Sequence, residues 1–427
     1  MRIAIIIGSI PLVLRLVIYI YHLIIVNFFL NEKTAYGKVD KKANALILIP
    51  VLREQSVIRD TINHFVKMKV GDINLYLVIA GTNRETCSGK DSTLEVVQYW
   101  INEYKKELPG NIDVDYCEAS DEGGDRATQL NYAVNYVKDS KGISELDFIG
   151  VYDADSLPSG DTLQEVVFCF SNDKELGACQ QPVHFAMAAN KMAAAKENPL
   201  LIANALYQST WTAISELPMW IKYSRKNENK LSYRHLYLIG HGEFLTENVY
   251  NSFRFPEYEV TDGIQLGYRL GMSNIKVRPL HEFCNDDVPH KLSALIKQHK
   301  RWFGGCMNFE SSYKWSKEHY KTNAFMQMID GLWSQARWAW TVWFYLLLLI
   351  GAGFSDIYLF IILLGMGIMY CYIFPVAAHR IMKTNIRVRL VDWLCLPVAI
   401  GIKSIGPNIY ILSKLFKQNV KYEKVER

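Results

Sequence analysis

Residues 3–30, from Ile3-Ala-Ile-Ile-Ile to Asn27-Phe-Phe-Leu30, form an apolar stretch interrupted by Arg15 and His22. A bilayer crossing takes about 20 such residues, so the stretch is long enough to span. It is also longer than the roughly 7–15-residue apolar core of a secretory signal, and no small-residue cleavage site follows it. Facing lipid, Arg15 and His22 would be costly, so both are expected to turn toward other helices or snorkel. Arg2 alone precedes the stretch, whereas Lys33, Lys38, Lys41 and Lys42 follow it. That asymmetry predicts a cytoplasmic position for what comes next.

The other end of the chain is similar. Residues 338–354 and 356–378 are apolar stretches separated by a turn too short for a domain, and the basic segment 379–389 follows them. A hairpin that leaves and re-enters the cytoplasmic side fits this pattern. A third stretch, 391–412, carries Pro397, Lys403 and Pro407; it either crosses or forms a broken, re-entrant segment. The expected organisation is therefore a transmembrane helix over 1–32, a cytoplasmic domain over 43–310 and interfacial helices over 311–336. Transmembrane helices over 337–413 and a basic tail over 414–427 complete it, in a multi-pass protein of the inner or plasma membrane. A net charge of +4 without one long basic run excludes nucleic acid as a partner. Eight cysteines without paired spacing (87, 117, 169, 179, 284, 306, 371 and 395) argue for reduced thiols.

Between the apolar ends the period changes. Ala45–Pro50, Ile73–Ala80 and Ile112–Cys117 read as buried strands, alternating with helices over 54–69, 92–106 and 127–137. This order predicts a right-handed, mainly parallel, Rossmann-like α/β sheet with helices on both faces. No Gly-x-Gly-x-x-Gly follows the first strand, which argues against a dehydrogenase-type dinucleotide fold. Residues 198–222 are apolar and aromatic but broken by polar residues, and fit an interfacial helix or a core helix of the soluble domain equally well.

A fourth strand, 146–152, runs into Asp153-Ala-Asp155-Ser156. Parallel sheets take their ligands at the carboxyl ends of their strands, and alternate residues of an extended strand point the same way. Asp153 and Asp155 can thus face one divalent ion or one diphosphate. Taken alone, Asp-Ala-Asp-Ser serves equally well as an ordinary strand-ending turn.

Four further features surround it in order: Pro50-Val-Leu-Arg-Glu54; Gly124-Asp-Arg126-Ala-Thr-Gln129-Leu-Asn131; Thr261-Asp262-Gly263-Ile-Gln265-Leu266-Gly267-Tyr-Arg269-Leu270; and Gln298-His-Lys-Arg301-Trp302. Together with the Asp-x-Asp strand they resemble the membrane-bound members of glycosyltransferase family 2, which include the cellulose, chitin and hyaluronan synthases. Gln-x-x-Arg-Trp is the most specific of these signatures.

The resemblance implies a cytoplasmic GT-A domain joined to an α-helical transmembrane region. It implies an inverting transfer from a nucleotide-sugar donor, assisted by Mg²⁺ or Mn²⁺, to a growing β-linked polysaccharide. Non-processive addition to a lipid-linked acceptor and a catalytically inactive scaffold or transport subunit are the alternatives. Asp155, helped by Asp153, is then the metal ligand and Asp262 the general base. Pro50, Glu54, Arg126, Asp153, Gln298 and Arg301 line the donor diphosphate site, and Trp302 and His241 the acceptor side; glycan or lipid-linked acceptor and membrane lipids are the further partners. Three departures stand out. Gly263 occupies the place of a usual acid, and Arg126 that of a usual Lys. The loop after the second strand (Thr82, Asn83, Glu85) lacks the usual Asp. His281, Cys284 and His290 have metal-ligating side chains without ligand spacing.

Overall fold

The computed structural model describes residues 1–32, 42–83, 92–104, 107–120, 125–143, 145–225, 232–320 and 324–416. Lys33, Lys38, Lys41, Glu85, Cys87, Gly124 and the tail from residue 417 lie outside the described residues.

The strands are β1 (Ala43–Pro50), β2 (Ile73–Thr82), β3 (Ile112–Ala119), β4 (Phe148–Val151), β5 (Leu176–Gln180), β6 (Val183–His184), β7 (Glu243–Thr246), β8 (Lys276–Pro279) and β9 (Cys284–Asn285). Seven of them form one sheet in the order β3-β2-β1-β4-β7-β5-β8, and β6 and β9 pair separately. The pairs β1–β2, β1–β4, β2–β3 and β5–β8 are parallel. β7 runs antiparallel to both neighbours.

Burial on both faces explains why β1 reads as a continuous apolar run. Its alternate residues Ala45, Ile47 and Ile49 join one core with Ile58, Ile62 and Phe65, while Leu46 and Leu48 join the opposite core with Ala127, Leu130 and Val134. Helices Ile58–Val66, Thr93–Tyr104 and Gly160–Asn172 cover the first face; Arg126–Lys141, Leu217–Ser224 and Asp262–Met272 cover the second. β1 has β2 on one side and β4 on the other, so the order in which strands are added reverses between β1 and β4. Crevices at such switch points are where α/β sheets hold ligands. The first helix starts at Ile58 rather than at 54, because the Glu54 carbonyl accepts from the Val57 and Ile58 amides in a preceding turn.

Four helical segments are long and apolar enough to cross a membrane: Arg2–Asn31, Phe325–Ser355, Ile357–Ile381 and Leu396–Leu415. Arg2 pairs with Asp356, and Asp356 caps the next helix by accepting from the Tyr358 and Leu359 amides. The start of the first helix and the hairpin tip therefore share one end of the bundle. At the other end Phe29 stacks on His281 of the catalytic domain, with ring centroids 4.1 Å apart. Arg15 and His22 face inward, Arg15 donating to the Tyr19 hydroxyl and His22 Nδ1 lying 2.7 Å from the Ile214 carbonyl. Residues 391–412 form no single helix: Leu390–Leu394, Leu396–Lys403 and Ile405–Leu415 follow one another. A Cβ on Gly406 would stand 2.6 Å from the Lys300 amide nitrogen, so this segment packs directly on helix Leu292–Cys306.

Residues 198–222 form a buried core element. Helix Pro199–Trp211 continues through a π-helical turn (Thr212–Glu216) into Leu217–Ser224. Leu201, Ile202 and Leu206 are buried with Leu295 and Ile400, and Ile214 with Tyr19 and Phe374. The stretch is thus wedged between the α/β domain and the apolar helices.

Candidate active site

A cavity of about 1450 Å³ opens at the carboxyl ends of β1 and β4 and continues between the long apolar helices. Pro50, Glu54, Arg126, Asp153, Asp155, His241, Asp262, Gln298, Arg301 and Trp302 all line it. Residues spread over most of the catalytic domain are brought to one place.

Arg126 is the hub. It occupies the first turn of helix Arg126–Lys141, whose start is set by a capping box between Asp125 and Thr128. Its Nη1 donates to Asp262 Oδ2 at 2.5 Å, and its Nη2 donates to Asp153 Oδ1 at 3.1 Å and to the Gly240 carbonyl at 2.5 Å. Burial opposes its charge, but Asp262, Asp153 and Glu243 outweigh burial and hold the guanidinium above its ordinary pKa. The planar fork suits this role: one cation bridges two carboxylates and a carbonyl that come from three separate elements.

The acidic loop is pinned from below. Thr61 donates to the Ala154 carbonyl, and His64 Nε2 meets the Pro158 carbonyl at 2.6 Å. Asp153 and Asp155 are half-buried at the cavity wall. His241 faces the same space, with Nε2 3.0 Å from Asp286 Oδ2. Asp286 is raised from the usual carboxyl range chiefly by burial, with His241 acting against the rise and Asp153 adding to it. Among the described residues no group of three His, Cys, Asp or Glu side chains is placed to hold a metal ion. That donor set fits Mg²⁺ or Mn²⁺, which bind nucleotide sites through one or two carboxylates and complete their shells with phosphate oxygens and water. One Asp153 oxygen accepts from Arg126. His281, Cys284 and His290 are not gathered: His281 pairs with Glu165 at 2.6 Å, the Cys284 thiol with Asp286 at 3.6 Å, and His290 with Glu197 at 3.0 Å.

The far wall is helix Leu292–Cys306, which carries Gln298, Arg301 and Trp302. Its register against the Asp262 helix is locked. Gln265 Nε2 donates to the Gly305 carbonyl at 2.8 Å, and Ser312 donates to Gln265 Oε1 at 2.6 Å. Gly305 lies so near Thr261 that a Cβ there would stand 1.9 Å from the Thr261 hydroxyl. The two motifs are therefore mechanically one unit. Asn131 serves structure instead: its side chain bonds the Phe255 amide and carbonyl at 3.1 and 2.9 Å, steadying the approach to Asp262.

A family model described as "Glycosyltransferase like family 2" matches residues 43–305. The chain belongs to glycosyltransferase family 2. No curated protein sequence matches it. Among solved structures it is similar to the mannosyltransferase PcManGT from Pyrobaculum calidifontis in complex with GDP-Man and Mn²⁺. That match has a TM-score of 0.52 at 13% identity, covering 96% of this chain and 99% of the other. It is also similar to S. aureus TarS 1–349, at a TM-score of 0.41 and 10% identity, covering 90% and 98%. At such identities the likeness concerns the fold.

Within this family 2 domain the sequence reading missed Glu243. The antiparallel direction of β7 sets Glu243 opposite Val151, at the carboxyl end of β4. It is fully buried, and neither carboxylate oxygen meets a hydrogen-bond partner of normal geometry. Burial first, and then the Asp262 carboxylate, push it up to about 8; Arg126 acts against them. Gly263 explains its place. A Cβ on Gly263 would stand 2.3 Å from Gly240 Cα and 3.0 Å from a Glu243 carboxylate oxygen. Gly240 itself turns with φ +86°, a conformation that favours glycine. The only hint in the sequence was indirect: the glycine standing where family 2 usually has an acid.

Proposed function

We propose that the protein is an inverting, divalent-metal-assisted glycosyltransferase. It moves a sugar from a nucleotide-sugar donor to an acceptor hydroxyl held between the catalytic domain and the membrane helices. The observation that carries this reading is the Arg126 cluster, which ties Asp153 to Asp262 in the cavity also lined by Gln298, Arg301 and Trp302.

In a single displacement the acceptor oxygen attacks the anomeric carbon and the bond from that carbon to the diphosphate breaks. The hydroxyl proton passes to a carboxylate on the acceptor side. Asp262 takes that proton on the oxygen not engaged by Arg126. Asp155, with Asp153, would hold Mg²⁺ or Mn²⁺, which would supply positive charge beside the departing diphosphate. Arg301 adds a bidentate phosphate contact, Gln298 hydrogen-bonds the same group, and Pro50 and Glu54 border the donor. Trp302 offers an aromatic face to the acceptor, with His241 beside it. The complex of the similar mannosyltransferase with GDP-Man and Mn²⁺ supports the donor and ion classes. The lysine and arginine asymmetry around the apolar segments supports a catalytic domain on the cytoplasmic face of the cell membrane.

Purified protein is screened against nucleotide sugars with Mn²⁺ or Mg²⁺, reading released nucleotide and product size. Long polymer supports a β-linked polysaccharide synthase. A single-sugar lipid product supports transfer to a lipid-linked acceptor, which the cations described below favour. No nucleotide release from any donor would favour a membrane scaffold or transport subunit and overturn the proposal.

A further inference from the structure

The catalytic groups occupy one end of the cavity. Its other end lies among the helices read as crossing the membrane and is lined by Arg15, Arg337 and Lys403. Arg15 donates through Nε to the Tyr19 hydroxyl, and its guanidinium carbon lies 4.8 Å from that ring. Arg337 Nε is buried without a hydrogen-bond partner, and Arg337 lines the same cavity end as Arg15. Lys403 Nζ sits 4.8, 4.2 and 5.6 Å from the ring centres of Tyr207, Trp211 and Trp338.

Among the described residues none of these three cations lies within 4.0 Å of a carboxylate oxygen. The acids at this end are engaged elsewhere. Asp330 is held by Arg234 and His235 at 3.1 and 2.6 Å. Glu216 accepts from Thr212 and Tyr237 at 2.9 and 3.2 Å and attracts Lys403 only from a distance. Arginine in a spanning segment is costly and normally faces a partner or a functional cavity. Two arginines and a lysine lining one cavity end, with no carboxylate oxygen within 4.0 Å of them among the described residues, make this end complementary to an anion. A neutral glycan would gain nothing from that charge. Ile18 and Tyr21 of the first helix line the same cavity and remain 40% and 61% exposed, so its wall reaches the lipid-facing side.

We propose that Arg15, Arg337 and Lys403 bind the phosphate or diphosphate group of a membrane lipid that carries the acceptor hydroxyl, with the lipid chain leaving past Ile18 and Tyr21. The lipid's role as acceptor rests on the transferase reading; its binding does not.

The test is a binding measurement, so its failure is distinct from failure of donor turnover. Protein in phosphatidylcholine nanodiscs is titrated with dodecyl diphosphate, dodecyl maltoside and inorganic diphosphate, following tryptophan fluorescence. Dodecyl diphosphate is expected to bind most tightly. Losing charge-assisted contacts in Arg15→Gln/Arg337→Gln should weaken it about tenfold or more, while Arg15→Lys/Arg337→Lys, which keeps the charge, should retain most of the binding. Equal binding of dodecyl maltoside, or unchanged affinity in the neutralised protein, overturns the proposal. Inorganic diphosphate binding as tightly as its dodecyl form overturns the assignment to a lipid. If the neutralised protein does not fold, the lysine variant and the three-ligand comparison on the wild type still decide.

Discussion

Replacing Glu243 by glutamine isolates one buried ionisation beside the proposed base. The carboxyl is raised from 4.5 to about 8, by burial first, then by Asp262, with Asp153 adding and Arg126 and the Gly240 amide opposing. Its folded-state value is the higher one, so its contribution to stability is fully present below pH 4.5. It is lost as pH rises from there to about 8, because the unfolded chain gives up the proton first. At about 1.4 kcal/mol per pH unit the whole window is worth about 5 kcal/mol, of which about 3 kcal/mol falls between pH 5.5 and pH 8. Glutamine keeps the shape and does not ionise. The stability of Glu243→Gln relative to wild type should therefore improve by about 3 kcal/mol over that range. An unfolding entropy of about 2.1 cal/mol/K per residue makes this a relative rise in Tm of about 3 °C. Thermal melts of both proteins in detergent across the pH range, followed by tryptophan fluorescence, read the difference directly. Parallel Tm profiles, or a variant that loses ground as pH rises, would refute the assignment of a raised pKa to this carboxyl.

Three other substitutions and one depletion probe the rest of the site. Asp262→Asn should lower kcat by about 10²–10⁴-fold while leaving donor KM nearly unchanged, as loss of a general base does; nucleotide-release kinetics measure both. Arg126→Lys keeps the charge but cannot reach Asp262, Asp153 and the Gly240 carbonyl together. It should cost about 3 kcal/mol of stability, seen in melts, and reduce turnover in the same assay. Gly263→Ala brings a methyl within 2.3 Å of Gly240 Cα. The backbone shift should cost about 1–3 kcal/mol and disturb the Gly240 carbonyl that holds Arg126, so Tm and turnover should fall together. Chelation with EDTA should abolish turnover, with recovery on adding Mn²⁺ or Mg²⁺; activity unaffected by exhaustive chelation would exclude the metal roles of Asp155 and Asp153.

β1, β2 and β4 were legible because parallel strands buried on both faces must be apolar along their length, so Ala45–Pro50 or Ile73–Ala80 stands out against the helices around it; the edge strand β3 showed instead as an alternation. The later strands were not, for two physical reasons. β5, β7 and β8 span only four or five residues and each carries a polar or charged residue, unlike the equally short β4 (Phe148–Val151). β7 also opens with a charged residue, Glu243, at a position with no exposure to solvent. Its antiparallel insertion between β4 and β5 is a long-range event with no local signature. The motif residues were legible for the opposite reason: each belongs to a pattern, and the cavity gathers Glu54, Arg126, Asp155, Asp262 and Arg301 from distant segments. Arg15 lay between the two cases. Its cost in an apolar stretch was plain, but the aromatic cavity end that makes it useful, with Arg337 and Lys403 beside it, exists only once four helical segments meet. Gly263 joins these lessons. In the sequence it reads as a missing acid; in the fold its place is filled by the Gly240 backbone, with a carboxylate oxygen of Glu243 3.0 Å from where its Cβ would be. A carboxyl beside the base is thus supplied from another strand, and a pattern read along the chain registers that exchange only as a loss.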